Sequence, residues 1–328
     1  MTVIRSILGG LAVFAVGAMA HAEELKLAHF ASTKYHLHVE MFVPLAEKLA
    51  EATGGVTTIR VYPGGELGPG PAKQYDRVID GVADIVYSLP GYTASQFKKT
   101  LLVEVPGIVK PGVNKTEAIW ANVDMLDEEF RRVVLLGLWT AGDAMLLMHE
   151  KKIEALSDLD GLKIRVPSKN TGRLVEAWGA TAVSMPITQV YQSLDTGVVD
   201  GVLVDASVLT SFKLGEVIKH ITVGMNATNS LFMLIMNRDS WEALDADTQA
   251  KLRDLTGAEM SEGGRVTMTS ASERALEKWV AEGGEVHTLS ADAAAEFNAA
   301  SDSLAAEVIA ELDAEGIDAS GWAAALRQ

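Results

Sequence analysis

The chain contains no cysteine, which excludes a disulfide framework and a lipid-modified cysteine at a processing site. It is also short of positive charge. Lysine and arginine number 28 against 44 aspartates and glutamates, a formal net charge of −16, and that balance argues against a nucleic-acid partner. Beyond the N-terminal stretch no segment is apolar and charge-free over the ~20 residues a membrane helix requires, so the body of the chain is expected to be soluble. Neither a fixed-period repeat nor a low-complexity linker is visible, which favours lobes that share chain crossovers over independent domains in tandem. What is there suits a large core: 328 residues with 48% hydrophobic content exclude disorder and allow two domains.

The N-terminal stretch reads as a targeting segment. Arg5 precedes an uncharged apolar run over residues 7–19, Ala20-His21-Ala22 supplies a small-x-small cleavage pattern, and Glu23-Glu24 follows. The run is too short for a bilayer span. A signal peptide over residues 1–22 is expected, with the mature chain starting at Glu23 in the periplasm of a double-membraned bacterium. Its removal takes away Arg5 and no acid, so the mature chain is more acidic still.

Strand-like and helix-like segments alternate along the rest. Strands are expected at 25–29, 57–62 and 84–89, with helices at 38–53 and 72–80 between them. A second set follows a strand at 133–139, with strands at 163–166, 182–185 and 201–204 and helices at 171–178 and 189–196. This rhythm predicts an α/β architecture of two lobes. An apolar strand at 232–236 precedes a helical pattern over 241–280, long enough to brace both lobes, which Gly263-Gly264 can bend or interrupt. Residues 292–315, rich in alanine and acids, read as one or two amphipathic helices on an outer face.

Signatures of catalysis are weak. The glycine cluster over residues 64–70 lacks the Gly-Lys-Ser/Thr ending of a phosphate loop and the spacing of a dinucleotide fingerprint, and Glu66 would repel a phosphate. His29, His36 and His38 lie close in sequence but show no i, i+4 pairing and no adjacent acid of a known metal motif, so a partly buried cluster is expected and no metal. Ser88 sits in Tyr87-Ser88-Leu89-Pro90-Gly91, a strand-end turn unlike a nucleophile elbow. No catalytic residue and no cofactor is expected.

The informative stretch runs from Asp158 to Gly201. It contains Gly161-Leu162-Lys163-Ile164-Arg165-Val166-Pro167, then Gly179-Ala180-Thr181-Ala182-Val183-Ser184-Met185-Pro186, then Tyr191-Gln192-Ser193-Leu194-Asp195-Thr196-Gly197-Val198-Val199-Asp200-Gly201. Upstream stand Tyr62-Pro63-Gly64-Gly65-Glu66-Leu67-Gly68 and Gly81-Val82-Ala83-Asp84. Together these resemble the solute-binding proteins of tripartite ATP-independent periplasmic (TRAP) transporters over most of the mature chain. Leu89-Pro90-Gly91-Tyr92-Thr93 and Glu104-Val105-Pro106 resemble a branch whose ligands include aromatic, alicyclic and sugar acids.

The resemblance implies a periplasmic-binding-protein-like fold of two mixed sheets flanked by helices, with a hinge between the lobes and a long bracing helix. Residues 23–147 plus about 231–280 would form the first lobe and 148–230 plus about 281–328 the second. It implies a monomer that captures a small organic acid and delivers it to a TRAP membrane permease, without enzymatic activity. A secreted α/β hydrolase with His29 or His149 as base is the alternative from another class, and a ligand-binding partner of a sensory receptor is a third.

Physical chemistry supports an anion site at Arg165. Ligands of open α/β sheets bind beyond the carboxyl ends of strands, and a planar guanidinium holds a carboxylate through two parallel hydrogen bonds, which Lys163 would imitate poorly. The competing reading pairs Arg165 with Asp160 or Glu176. Trp139 would wall the cleft or pack in the core, and Tyr35, Ser88 and Tyr92 follow first-lobe strand ends. Met185 would touch the ligand or the core, and Phe232 lies near the hinge. Asp205 stands where relatives often carry Asn-Pro or Pro-Trp. It either faces the cleft, rejecting a second carboxylate and favouring a hydroxyl donor, or caps the segment starting at Ser207.

Overall fold

A computed structural model describes residues 23–327. The signal peptide expected over residues 1–22 lies outside the described residues. Among the described residues no helix is long and apolar enough to cross a membrane.

In chain order the strands are β1 (Glu23–Ala28), β2 (Thr57–Tyr62), β3 (Ile85–Ser88), β4 (Val133–Thr140), β5 (Met145–Met148), β6 (Lys163–Val166), β7 (Thr181–Ser184), β8 (Gly201–Val204), β9 (His220–Val223), β10 (Leu231–Asn237) and β11 (Glu285–Thr288). They form two mixed sheets, ordered β2-β1-β3-β10-β4 and β11-β9-β5-β8-β6-β7. Each contains a parallel trio joined by crossover helices, β2-β1-β3 in the first and β8-β6-β7 in the second. Each also receives an antiparallel strand from farther along or back in the chain, β10 beside β3 and β4, and β5 beside β8 and β9. β10 is buried along its whole length, which is why Leu-Phe-Met-Leu-Ile-Met reads as a continuous apolar run and not as an alternation.

The chain leaves the first sheet earlier than residue 147. Met145–Met148 already pairs with β8 and β9 of the second sheet, so the first crossing falls between Thr140 and Met145. A four-residue apolar strand following closely on an eight-residue one offers no periodicity by which to separate them.

The pattern over 241–280 is not one helix. It divides into Arg238–Ala243, Ala246–Asp254 and Ala258–Ala281. Asp245 starts the second by accepting the Thr248 N–H at 2.9 Å, a side-chain cap. Gly257 at φ 82° precedes the third, a conformation that suits glycine. Gly263 and Gly264, expected to bend or interrupt the helix, lie inside it. Gly264 is there for close packing: a Cβ would stand 2.7 Å from Met41 Cε and 2.9 Å from the Trp139 ring.

The 24-residue helix Ala258–Ala281 does span the two halves. Ser261 Oγ accepts the Leu138 N–H of β4 at 2.9 Å, and Ser272 Oγ accepts the Ala206 N–H, just beyond β8, at 3.0 Å. The C-terminal helices also touch both halves instead of the second alone. Trp178 stacks edge-on against Phe297 at 5.3 Å and donates its indole N–H to the Phe297 carbonyl. Arg327 donates to the carbonyl of Ile108 at 3.1 Å.

Candidate ligand-binding cleft

Arg165 is the third residue of β6, one position short of the strand end, and Pro167 ends the pairing just beyond. Its side chain is 1% exposed. Nε donates to the Met185 carbonyl at 2.9 Å, and Nη2 donates to the Tyr92 hydroxyl at 3.4 Å. Neither Asp160 nor Glu176 reaches it, and no acid forms an ion pair with it among the described residues. Burial lowers its pKa, while Tyr92 acts in the opposite direction; an arginine nonetheless keeps its proton. The result is a buried cation held in place by a carbonyl and a phenol.

Tyr92 reaches this point from the 3-10 turn Pro90–Thr93 that follows β3 of the first sheet. Its oxygen accepts from both Arg165 and the Ile187 N–H, the latter at 3.0 Å. A hydroxyl has two acceptor lone pairs and one hydrogen, so with both lone pairs engaged the Tyr92 hydrogen remains available to donate. The turn approaches the end of β6 so closely that a Cβ on Gly91 would lie 2.8 Å from Ser168 Cβ and 3.1 Å from the Pro167 carbonyl oxygen.

Around Arg165 the two halves enclose a cavity. Phe30, Leu89, Ile187, Val204, Phe212 and Phe232 supply apolar wall, and Tyr35, Tyr92, Asp205, Ser207 and Ser230 supply polar groups. Val208, Pro167 and Met268 complete it. The free volume between these walls is about 30 Å³, room for a water-sized molecule.

Five of the eight residues picked out from sequence therefore converge: Arg165, Tyr35, Tyr92, Asp205 and Phe232. Three lie elsewhere. Trp139 is fully buried behind the cavity, stacked on Tyr87 with centroids 6.0 Å apart and packed against Gly264. Ser88 is buried within β3, opposite Met233 of β10. Met185 contributes its backbone carbonyl to Arg165, and its side chain is not part of the wall. Among residues not singled out, Phe30 follows β1 closely, and the strand-end rule that marked Arg165 also points there. Met268 lies far away on the long helix, and nothing local in the sequence marks it.

Asp205 is among the residues that line the cavity. Its Oδ1 accepts the Ser207 N–H at 3.0 Å in an Asx turn, and the short helix Val208–Ser211 that follows has no side-chain cap. Burial raises the pKa of Asp205, and its bonds to Ser207 act in the opposite direction.

The other motifs resolve into local structure. Arg77 donates to the carbonyls of Pro69 and Gly70, so the glycine-rich turn is held by a protein cation. His29 is buried and its Nε2 hydrogen-bonds His38 Nδ1 at 2.9 Å. Burial above all, with the neighbouring His38, lowers the His29 pKa to about 3. His149 Nδ1 bonds the Val217 carbonyl. Among the described residues neither His29 nor His149 hydrogen-bonds a serine or threonine hydroxyl, and no group of three or more His, Asp or Glu side chains converges as a metal site there.

The fold and the cleft define a solute-binding protein. The chain belongs to the DctP family, bacterial extracellular solute-binding protein family 7, whose model matches residues 27–312. It is 26% identical to the C4-dicarboxylate-binding periplasmic protein DctP of Rhodobacter capsulatus, over 88% of this chain and 89% of that one. A solute-binding protein of Albidiferax ferrireducens is 24% identical over 66% of this chain, and the match spans 64% of that relative's length, just under two thirds. Among solved structures, a TRAP solute-binding protein from a marine metagenome, specific for aromatic acid ligands and bound to metahydroxyphenylacetate, superposes with a TM-score of 0.87. It is 26% identical, covering 93% of this chain and 97% of that chain.

Proposed function

We propose that this protein captures a small aromatic monocarboxylate between its two lobes in the periplasm and delivers it to a TRAP-type membrane permease, with no covalent chemistry. The observation that carries this reading is Arg165, a buried guanidinium in an aromatic-walled cavity with no acid beside it. An unpaired buried charge costs several kcal/mol, and a ligand carboxylate offsets that cost through charge-assisted bonds to the free guanidinium N–H groups. The spare hydrogen of Tyr92 donates to the same carboxylate. Phe30, Phe212 and Phe232 offer faces and edges for a ring, and metahydroxyphenylacetate in the metagenome protein supports the class.

Residues 1–22 serve as the cleaved leader, and the mature chain acts as a monomer. Its first lobe comprises residues 23 to about 144 with about 231–280, and the second lobe the remainder. A ring-bearing acid does not fit into about 30 Å³, so the lobes part to admit it and close again at the crossings between the sheets.

The test is thermal stabilisation of ligand-stripped protein by benzoate and phenylacetate, each beside its uncharged amide. Acid at ~100 times its dissociation constant adds about 2.7 kcal/mol and raises the melting temperature by several degrees. Stabilisation by the acids and not by the amides supports the reading. Equal response to acid and amide, or silence across aromatic acids, speaks against it.

A further inference from the structure

The cavity has a second polar pole. Asp205 is 3% exposed, and its hydrogen-bond partner is Ser207, at the beginning of the segment after β8. No cation pairs with it among the described residues, Arg165 included, although both residues line the cavity. The two charges have different neighbours. Arg165 bonds Tyr92, whereas the field of Asp205 falls on Tyr35 and Tyr87, whose hydroxyls are 2.8 Å apart. Burial first of all, with the Asp205 charge adding to it, raises the pKa of both phenols. They remain protonated, and Asp205 forms no ion pair with Arg165; the rest of the lining is apolar or carries only uncharged hydroxyls.

An ionised carboxylate only accepts hydrogen bonds. The bonds of Asp205 to Ser207 do not use all of the roughly four acceptor sites of a carboxylate, which leaves acceptor capacity on a residue that lines the cavity. A ligand with a carboxylate at one end and a hydrogen-bond donor at the other satisfies both poles together.

We infer that Asp205 receives a ligand hydroxyl, so that the solute is a hydroxylated aromatic monocarboxylate and neither an unsubstituted aromatic acid nor a dicarboxylate. This rests on the reading of Arg165 as the carboxylate site. The O–H to carboxylate bond is charge-assisted and short-range. A second ligand carboxylate in the same place would put two anions together in a poorly solvated site, which disfavours both. A methyl ether lacks the hydrogen that Asp205 accepts, and a site built to bond a hydroxyl discriminates strongly against analogues without one.

Isothermal titration at pH 7.5 decides the matter, with benzoate and phenylacetate, their 3- and 4-hydroxy derivatives, the methyl ethers of those, and isophthalate and terephthalate. In the wild type at least one hydroxy acid binds about tenfold or more tightly than its parent and its methyl ether, and the dicarboxylates bind worst. In Asp205→Asn the ratio of hydroxy acid to parent falls several-fold. The asparagine amide oxygen still accepts the Ser207 N–H, so this variant keeps the turn if Asp205→Ala does not fold.

Equal binding of hydroxy acid, parent and ether by the wild type overturns the inference and leaves the carboxylate site standing. A hydroxyl preference that survives undiminished in Asp205→Asn also overturns it. No binding of any of these acids overturns both readings.

Discussion

The guanidinium of Arg165 and the hydroxyl of Tyr92 meet at 3.4 Å across the boundary between the two halves of the molecule. Arg165 belongs to β6 of the second sheet, and Tyr92 to the turn after β3 of the first. The Tyr92 oxygen also accepts from Ile187 N, so a single phenol joins the two sides of the cleft at the point where the positive charge is buried.

Replacing Arg165 by methionine should separate stability from binding. The ligand-free variant is expected to melt at the same temperature as the wild type or higher, because a buried cation without an acid partner becomes an apolar side chain of similar length. Acid binding should weaken by about 2–5 kcal/mol, a loss of roughly thirtyfold or more. Melting curves with and without benzoate measure both, and a variant that keeps the wild-type response would remove Arg165 from the site.

Gly91→Ala should wedge the cleft. Its Cβ would lie 2.8 Å from Ser168 Cβ, so either the turn shifts or the lobes stay apart. Overpacking of this kind costs about 1–3 kcal/mol, which predicts acid binding weakened by roughly tenfold and a larger radius of gyration at saturating ligand. Unchanged affinity together with unchanged scattering would mean that the contact does not limit closure.

Glu104 predicts a pH dependence of unusual sign. Its buried carboxyl accepts the Ser168 hydroxyl and the Leu231 N–H, at 3.2 Å in the latter case, joining the 3-10 turn Thr100–Glu104 to the start of the helix Lys169–Ala177 and to the start of β10. Burial pushes its pKa from 4.5 to about 7, against the opposing effects of Ser168, Leu231 and Lys115. A carboxyl whose folded pKa stands above its unfolded value contributes most when protonated. Its contribution is complete below about pH 4.5 and is lost as pH rises through 7. The shift corresponds to on the order of 3 kcal/mol. Glu104→Gln should therefore flatten the decline in melting temperature between about pH 5 and 8. Parallel profiles for variant and wild type would assign that decline to other groups.

Gly264→Ala should destabilise the protein by about 1–3 kcal/mol, because the added methyl meets Met41 and the Trp139 ring at 2.7 and 2.9 Å. Urea unfolding measures it directly. No loss, or the stabilisation of about 0.5–1 kcal/mol that Gly→Ala gives at an open helical site, would mean that the helix has slack against β4.

Much of this protein is determined by local chemistry that can be read along the chain. The alternation of strands and helices, the end of β6 at Pro167 and the guanidinium before it follow from periodicity, backbone restriction and the fit of arginine to carboxylate. That Tyr35, Tyr92 and Asp205 come near Arg165 was legible because they follow strand ends, and Phe232 because it lies at the start of the strand near the hinge.

Tertiary structure decided what depends on distant partners. Trp139 sits close to a strand end, as cleft residues do, yet Gly264 and Tyr87 draw it into the core. Met268 enters the cleft wall from a helix more than two hundred residues beyond Tyr35. The break at Gly257 and the continuity through Gly264 exchange the roles that two similar glycines suggest, because one needs a positive φ and the other a close neighbour. That Arg165 has no acid beside it is likewise a fact about three dimensions. Asp160 and Glu176 are near it in sequence, and only the fold keeps them away.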